Sequence, residues 1–339
     1  MVELLTTIAI LGLLLGILMP GVQSARETAR RSLCGNNLRQ IGLATANFVD
    51  LRGRLPPGQY RDPALGSAAG NNTFSWSGFL LEFLEQAQTA PTSQVPPSSN
   101  PATPAPDGHL YLKAALGSVW NQAATSTIVP TYLCPSTTRV HPSREGGRIK
   151  DHDGSPGLDP QKFEGFACID YAGNAGATSA TRYPRADGSP YPASRSAVGN
   201  TVPTSTGVFI DQPVGSLAQG VGRTLITDGL SKTLLIVELS GRGLTGTSGT
   251  GSPRGAWASG QNCTTIGPIN PAISLVNPIV QATEAWPDAP ANALFSDHRR
   301  GAQVVMCDGA VDFITEDIAE HVLVRMATKA EGESLTAGD

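Results

Sequence analysis

Nine residues separate His298 from Asp308, and Gly309 follows the acid. An imidazole and a carboxylate brought together, with Ser296 close by, could move a proton or hold a metal. The block from Gln303 to Ile314, however, reads as two β-prone runs joined by Asp308-Gly309. Asp-Gly is a strong hairpin signal, because a type I′ turn needs positive φ at both central residues. A hydrolase would also need a presented nucleophile and an oxyanion hole, and no G-x-S-x-G elbow occurs. The turn is the preferred reading, no catalytic residue is assigned, and the chain is expected not to be an enzyme.

Asp151, Asp153 and Asp159 cluster in a Gly-containing segment, the oxygen-rich chemistry that calcium uses. Their spacing departs from the EF-hand pattern, so a solvated polar loop is preferred and no cofactor is expected. The five cysteines (34, 134, 168, 263 and 307) are dispersed without a C-x-x-C pair and signal no zinc site. An oxidising compartment would permit a disulfide, with Cys134 and Cys168 the preferred pair because they border the same central block. Glu238 is an unexpected acid after the apolar run Leu234 to Val237 and reads as a strand end before a ligand. His109, His141, His152 and His321 show no H-E-x-x-H spacing and read as surface or packing residues.

The elements that must position these residues start with one long helix. Leu4 to Met19 contains no charge, and Glu3 stands immediately before it. A helix rises about 1.5 Å per residue, so residues 2–22 would span roughly 30 Å, the thickness of a bilayer's hydrocarbon core. A carboxylate at the edge of such a span needs a partner. Helical spacing continues beyond Pro20, with Val22, Ala25, Ala29, Leu33, Ile41, Ala44, Phe48 and Leu51 near one stripe. The helix is expected to reach about Leu51, loosened at Pro20 and stopped by Gly53 and Pro56-Pro57. Its second half should pack on the following domain.

Charged residues make up only 15% of the 339, Gly (38) and Pro (26) are abundant, and the net charge is −4. That composition points to a loop-rich, mainly β extracytoplasmic domain and offers no basic face for nucleic acid. Residues 87–107, 173–206 and 241–255 are rich in small and polar residues and read as surface insertions. The segment Thr227 to Ser231 reads as a polar turn feeding a buried strand at Leu234 to Glu238. Thr315, Glu316 and Asp317 look like the start of a closing helix that runs to about Ala330, with Ile318, Val322 and Met326 on one side.

The run from Val2 to Phe48 resembles the N-terminal helix of bacterial type IV pilins and type II secretion pseudopilins. Val2, Glu3, Leu4 and Leu5 match the start of the mature chain in that group, and Pro20 falls where its helix-distorting proline would. The resemblance implies that Glu3 pairs with the free or methylated amine of a neighbouring subunit. It further implies a basic leader ending in Gly before Val2, cut by a prepilin peptidase. The expectation is that an in-frame leader lies upstream of Met1. Arg26, Arg30 and Arg31 after the span would by the positive-inside rule place the large domain in the cytoplasm. The resemblance places it instead in the periplasm or at the cell surface, anchored in the bacterial inner membrane.

Further landmarks are similar to those of a large bacterial group of pseudopilin-like proteins carrying a domain of unknown function. They are Leu55-Pro-Pro-Gly58, Trp76 to Gln86, Tyr132 to Ser136, Asp170 to Asn174, Ile226 to Gly229 and Thr233 to Glu238. The last is an H-x9-DG signature at His298, Asp308 and Gly309. The expected fold class is α+β and pilin-like: a long N-terminal transmembrane helix packed on an antiparallel sheet with long loop insertions. The expected organisation is a prepilin-type helix at 1–52, with its membrane part at 2–22, a domain at 53–330 and a tail at 331–339. The expected function is a structural subunit of an envelope filament or type II secretion-like apparatus, partnered by the membrane and by copies of itself or other pseudopilins. Glu3 and Pro20 would act in assembly, with the small residues Ala9, Gly12 and Gly16 permitting close helix approach. A membrane-tethered module binding a glycan, peptide or envelope partner is the alternative, and a hydrolase using His298 and Asp308 the third.

Overall fold

The computed structural model describes residues 2–61, 73–84, 127–137, 167–177, 206–209, 220–240, 257, 262–266, 269–270 and 294–330. The calcium candidates Asp151, Asp153 and Asp159 lie outside these residues, as do the insertion at 87–107 and the tail from 331.

Helix α1 runs without a break over Val2–Arg52, through Pro20. Its end follows from Gly53, whose φ of +74° is the left-handed conformation that closes a helix, with its N–H donating to Val49 O at 2.7 Å. Every residue from 2 to 26 is exposed, whereas Cys34, Leu38, Ile41, Thr45, Phe48 and Val49 are buried at steps of three, four or one. The buried stripe is therefore offset from the expected one: Val22, Leu33 and Leu51 face outward. Spacing alone fits several stripes on a helix this apolar, and contact with the sheet selects among them.

A two-stranded ribbon of β1 (Gln59–Arg61) and β2 (Thr73–Ser75) precedes a single helical turn, α2 (Trp76–Phe79). The main sheet contains β3 (Tyr171–Ala177), β4 (Leu234–Glu238), β5 (Cys263–Ile266), β6 (Gly301–Met306) and β7 (Val311–Thr315) in the order β5-β3-β4-β6-β7. The four strands β3, β4, β6 and β7 are antiparallel and β5 adds parallel to β3, so the fold is α+β as expected. β3 occupies the start of the expected insertion at 173–206; its pairing with β4 buries residues whose small, polar composition reads as loop.

The inner strands β3, β4 and β6 are buried on both faces. Leu235, Ile236, Val305 and Tyr171 join the second half of α1 in one apolar cluster, while Leu234, Val237, Val304 and Met306 face the closing helix α3 (Glu320–Ala327) in another. β3, β4 and β6 thus alternate between two apolar layers. α3 starts five residues later than the expected Thr315, which is the last residue of β7. Pairing with Gly301 takes that residue into the sheet, and the helix begins after Ala319 without a side-chain cap. Val322, Leu323, Val324 and Ala327 form its buried face.

The β6–β7 join is a hairpin, with a different turn from the expected one. Only Gly309 has positive φ (+89°), and Asp308 does not. Gly309 N–H donates to Met306 O at 2.8 Å and Met306 N–H to Ala310 O at 2.8 Å, giving a three-residue loop closed by a left-handed glycine. The Asp308 carboxylate accepts from Ala310 N at 2.9 Å and locks the loop.

A bulge in β4 decides which way its last residues face. The β4–β6 register shifts between Leu234 and Ile236, so Leu235 and Ile236 both face α1. Val237 then faces α3, and Glu238 turns back toward α1. Without the bulge, strict alternation would put Glu238 on the α3 face.

Candidate functional site

At the junction of α1 and the sheet, four side chains from four separate parts of the chain converge. Cys34 comes from α1, Cys134 from the segment after a 3-10 turn at Pro130–Tyr132, Glu238 from the end of β4 and His298 from the turn before β6. One sulfur, nitrogen or oxygen atom of each lies within 4.8 Å of the others. The Cys134 Sγ–His298 Nε2 distance is 3.5 Å and the His298 Nε2–Glu238 Oε1 distance is 3.7 Å. Solvent is excluded: Cys34 and Glu238 are 0% exposed, His298 2% and Cys134 4%.

A surrounding shell orients each member. The Glu27 carboxylate, half-buried on α1, lies 2.8 Å from His298 Nδ1 and also takes the Arg30 guanidinium at 3.0 Å. The Ser296 hydroxyl accepts from His298 N at 3.0 Å, fixing the backbone that presents the imidazole. Buried Asp170 accepts from Cys134 N at 2.8 Å and from Thr137 Oγ1 at 3.1 Å. The Tyr171 hydroxyl lies 3.2 Å from Cys34 Sγ. Glu238 Oε2 accepts from Gln303 N at 3.0 Å, but Glu238 Oε1 is buried with no hydrogen-bond partner among the described residues.

Electrostatics tie these groups together. The Cys134 thiol donating to Cys34 lowers the Cys34 pKa to about 6 against the opposing effect of burial, with His298 and Tyr171 adding to it. Cys134, as the donor and buried, is raised. Burial raises Glu238 to about 8, helped by the nearby Cys34 charge. Burial would depress His298, but Cys34, Glu238 and Glu27 outweigh it and hold the imidazole near 9. Glu27 resists the upward pull of its own partial burial and is lowered by His298 and Arg30. Tyr171 is raised by burial and stays a phenol that donates to sulfur. A thiolate beside an imidazolium is the chemistry of an activated nucleophile. Here it is buried beneath α1.

The candidates read from the sequence fall in different places. His298 belongs to this cluster, with Ser296 behind it, but Asp308 and Gly309 occupy the β6–β7 turn at the opposite end of β6. The His298–Asp308 pair does not form. Cys134 faces Cys34 and is a free thiol, so the expected Cys134–Cys168 bond is not made. Glu238 does end its strand, as expected, and in doing so enters the cluster. Glu27 and Cys34 carried no sequence signal of a site; only the recurrence of Cys134, Asp170, Tyr171, Glu238 and His298 among the landmark blocks linked them. Glu3, Ala9, Gly12, Gly16 and Pro20 all lie on the exposed part of α1, far in sequence from the cluster. The hydroxyls of Thr6 and Thr7 donate to Glu3 O and Leu4 O at 2.9 and 2.8 Å, satisfying them within the apolar stretch.

No curated protein and no solved structure matches the chain significantly. One family model does, over residues 23–321, which takes in the packed half of α1, the whole sheet and all four members of the cluster. By that match the chain belongs to the family described as protein of unknown function DUF1559, SBP_bac_10.

Proposed function

We propose that this protein is a membrane-anchored structural subunit that assembles, pilin-fashion, through the first half of α1. The observation that carries this reading is the division of that helix. Residues 2–26 are exposed and include one stretch long and apolar enough to cross a membrane, while the stretch from Cys34 to Val49 is built into the domain's core. An exposed apolar surface of that extent has two ways of leaving water, lipid and neighbouring helices. Ala9, Gly12 and Gly16 suit close approach of a second helix, and no atom outside the helix lies within 4 Å of a Cβ placed at Gly12 or Gly16. Glu3 opens the helix as the acid that a neighbouring subunit's amine would neutralise. In this reading the globular domain sits outside the inner membrane and a prepilin peptidase would process any leader.

Cysteine cross-linking in intact cells, with single cysteines placed along residues 5–19, tests it. Ladders of cross-linked subunits are expected, and Glu3→Ala should abolish them without changing the domain's melting temperature. Monomer alone in every such cysteine variant that keeps Glu3 would defeat the assembly reading and favour a tethered binding module.

A further inference from the structure

We propose that Cys34, Cys134, Glu238 and His298 form a closed site for one thiophilic divalent cation, zinc by its ligand chemistry, which clamps α1 to the sheet. Two sulfurs, an imidazole nitrogen and a carboxylate oxygen are a donor set zinc takes in four-coordinate structural sites. With metal–sulfur bonds of about 2.3 Å and metal–nitrogen or metal–oxygen bonds of about 2.0–2.2 Å, the edges of such a tetrahedron measure roughly 3.3–3.8 Å. The observed 3.5 Å from Cys134 Sγ to His298 Nε2 matches a sulfur–nitrogen edge, and the 3.7 Å from His298 Nε2 to Glu238 Oε1 is within about 0.3 Å of a nitrogen–oxygen edge.

The second, independent observation is Glu238 Oε1, fully buried, without a hydrogen-bond donor among the described residues and aimed into the group. A carboxylate oxygen left so is costly, and a cation among these four atoms removes the cost. The outer contacts match those that metal sites use: a carboxylate on the far nitrogen of the histidine (Glu27 on Nδ1), a hydroxyl on one sulfur (Tyr171 on Cys34) and a backbone anchor for the other (Asp170 on Cys134 N). A Cys34–Cys134 disulfide would use the same two sulfurs but leave Glu238 Oε1 and His298 Nε2 with nothing between them. On binding, protons held by the thiols, the imidazole Nε2 and Glu238 pass to solvent, leaving two thiolates, a neutral imidazole and a carboxylate around the ion. Because the protein supplies all four donors and excludes water, the role is structural. The donors come from α1 and three parts of the domain, so the ion would fasten the root of the anchor to the body it carries. This holds whether or not the subunits assemble.

The test uses the full chain in detergent, fully reduced, stripped with chelator and titrated with zinc against a chromophoric competitor. One equivalent per chain is expected, and cobalt in its place should show thiolate-to-metal charge-transfer absorption. The Cys34→Ser/Cys134→Ser double variant should bind at least 100-fold more weakly. Glu27→Gln, a change outside the core, should weaken binding about 10–100-fold while the protein stays folded. Failure of the reduced wild-type chain to take up zinc would overturn the proposal. So would equal zinc uptake by the double variant, which would mark the ion as adventitious, or a Cys34–Cys134 disulfide in protein alkylated directly from cells.

Discussion

Buried Asn174 ties the sheet to the closing helix. Its amide donates to Leu234 O at 2.7 Å and to Ala327 O at 2.9 Å, and its carbonyl accepts from Gly176 N at 2.8 Å. One side chain thus joins β3, β4 and the end of α3. Asn174→Ala should cost about 2–4 kcal/mol, since two carbonyls and an N–H lose their partner in a buried place, and chemical denaturation would read the loss. Lys329 illustrates the opposite case. Burial lowers its pKa to about 8, although its ammonium donates to Gly207 O at 2.8 Å. The unfolded lysine keeps its proton to about pH 10.4, so between the two values the unfolded state binds more protons and stability from this residue rises with pH. A Lys329→Met variant should lose that upward slope between about pH 8 and about pH 10.4, as melting curves of the two proteins across that interval would show.

At the scale of elements, the β6–β7 hairpin and the packed half of α1 are the parts whose sequence and structure speak to each other most directly. Gly309 has φ +89° and nothing within 4 Å of where a Cβ would stand, so Gly309→Ala meets a conformational cost alone. A loss of about 1–2 kcal/mol is expected, measured by thermal unfolding. Gly42, on α1, faces Val305 with only 3.1 Å for an added Cβ, so a bulky residue there would push the helix off β6. The contact between the two elements is reinforced at its edge, where the Arg31 guanidinium stacks 3.2 Å above the Phe313 ring and Gln303 Nε2 donates to Arg31 O at 3.2 Å. Leu38, fully buried between α1 and the sheet, should cost about 2–5 kcal/mol when changed to Ala. The hairpin's existence was legible in Asp308-Gly309; its turn type was not, because a three-residue loop closed by Gly309 uses the same dipeptide.

At the scale of the molecule, the chain divides within α1 into an exposed apolar half that contributes nothing to the described core and a body that needs the helix's second half. Removal of residues 2–22 should therefore leave the unfolding free energy of the body within about 0.5 kcal/mol and, under the proposed anchoring, release the protein from membranes, as fractionation and melting would show together. The family match begins at residue 23, close to where α1 enters the body. Two apolar layers hold the sheet: α1 lies over the face that bears Tyr171 and Val305, and α3 over the face that bears Val237 and Val304. The candidate site lies in the first of these layers, at its charged edge near Glu27 and Arg30.

The sequence by itself determined the features that depend on near neighbours. An uncharged run long enough to cross a bilayer, a helix ended by a glycine, an apolar strand before Glu238 and a turn at Asp308-Gly309 all follow from local composition and period. Which atoms meet across the core was a tertiary decision. Cys34, Cys134, Glu238 and His298 are spread over more than 260 residues, and no spacing rule spans such gaps. Their meeting depends on the side of α1 that faces the sheet and on a one-residue bulge in β4. A single shift in strand register turns a side chain from one face to the other, so the bulge, absent from any local pattern, brings Glu238 beneath α1 and closes the cluster.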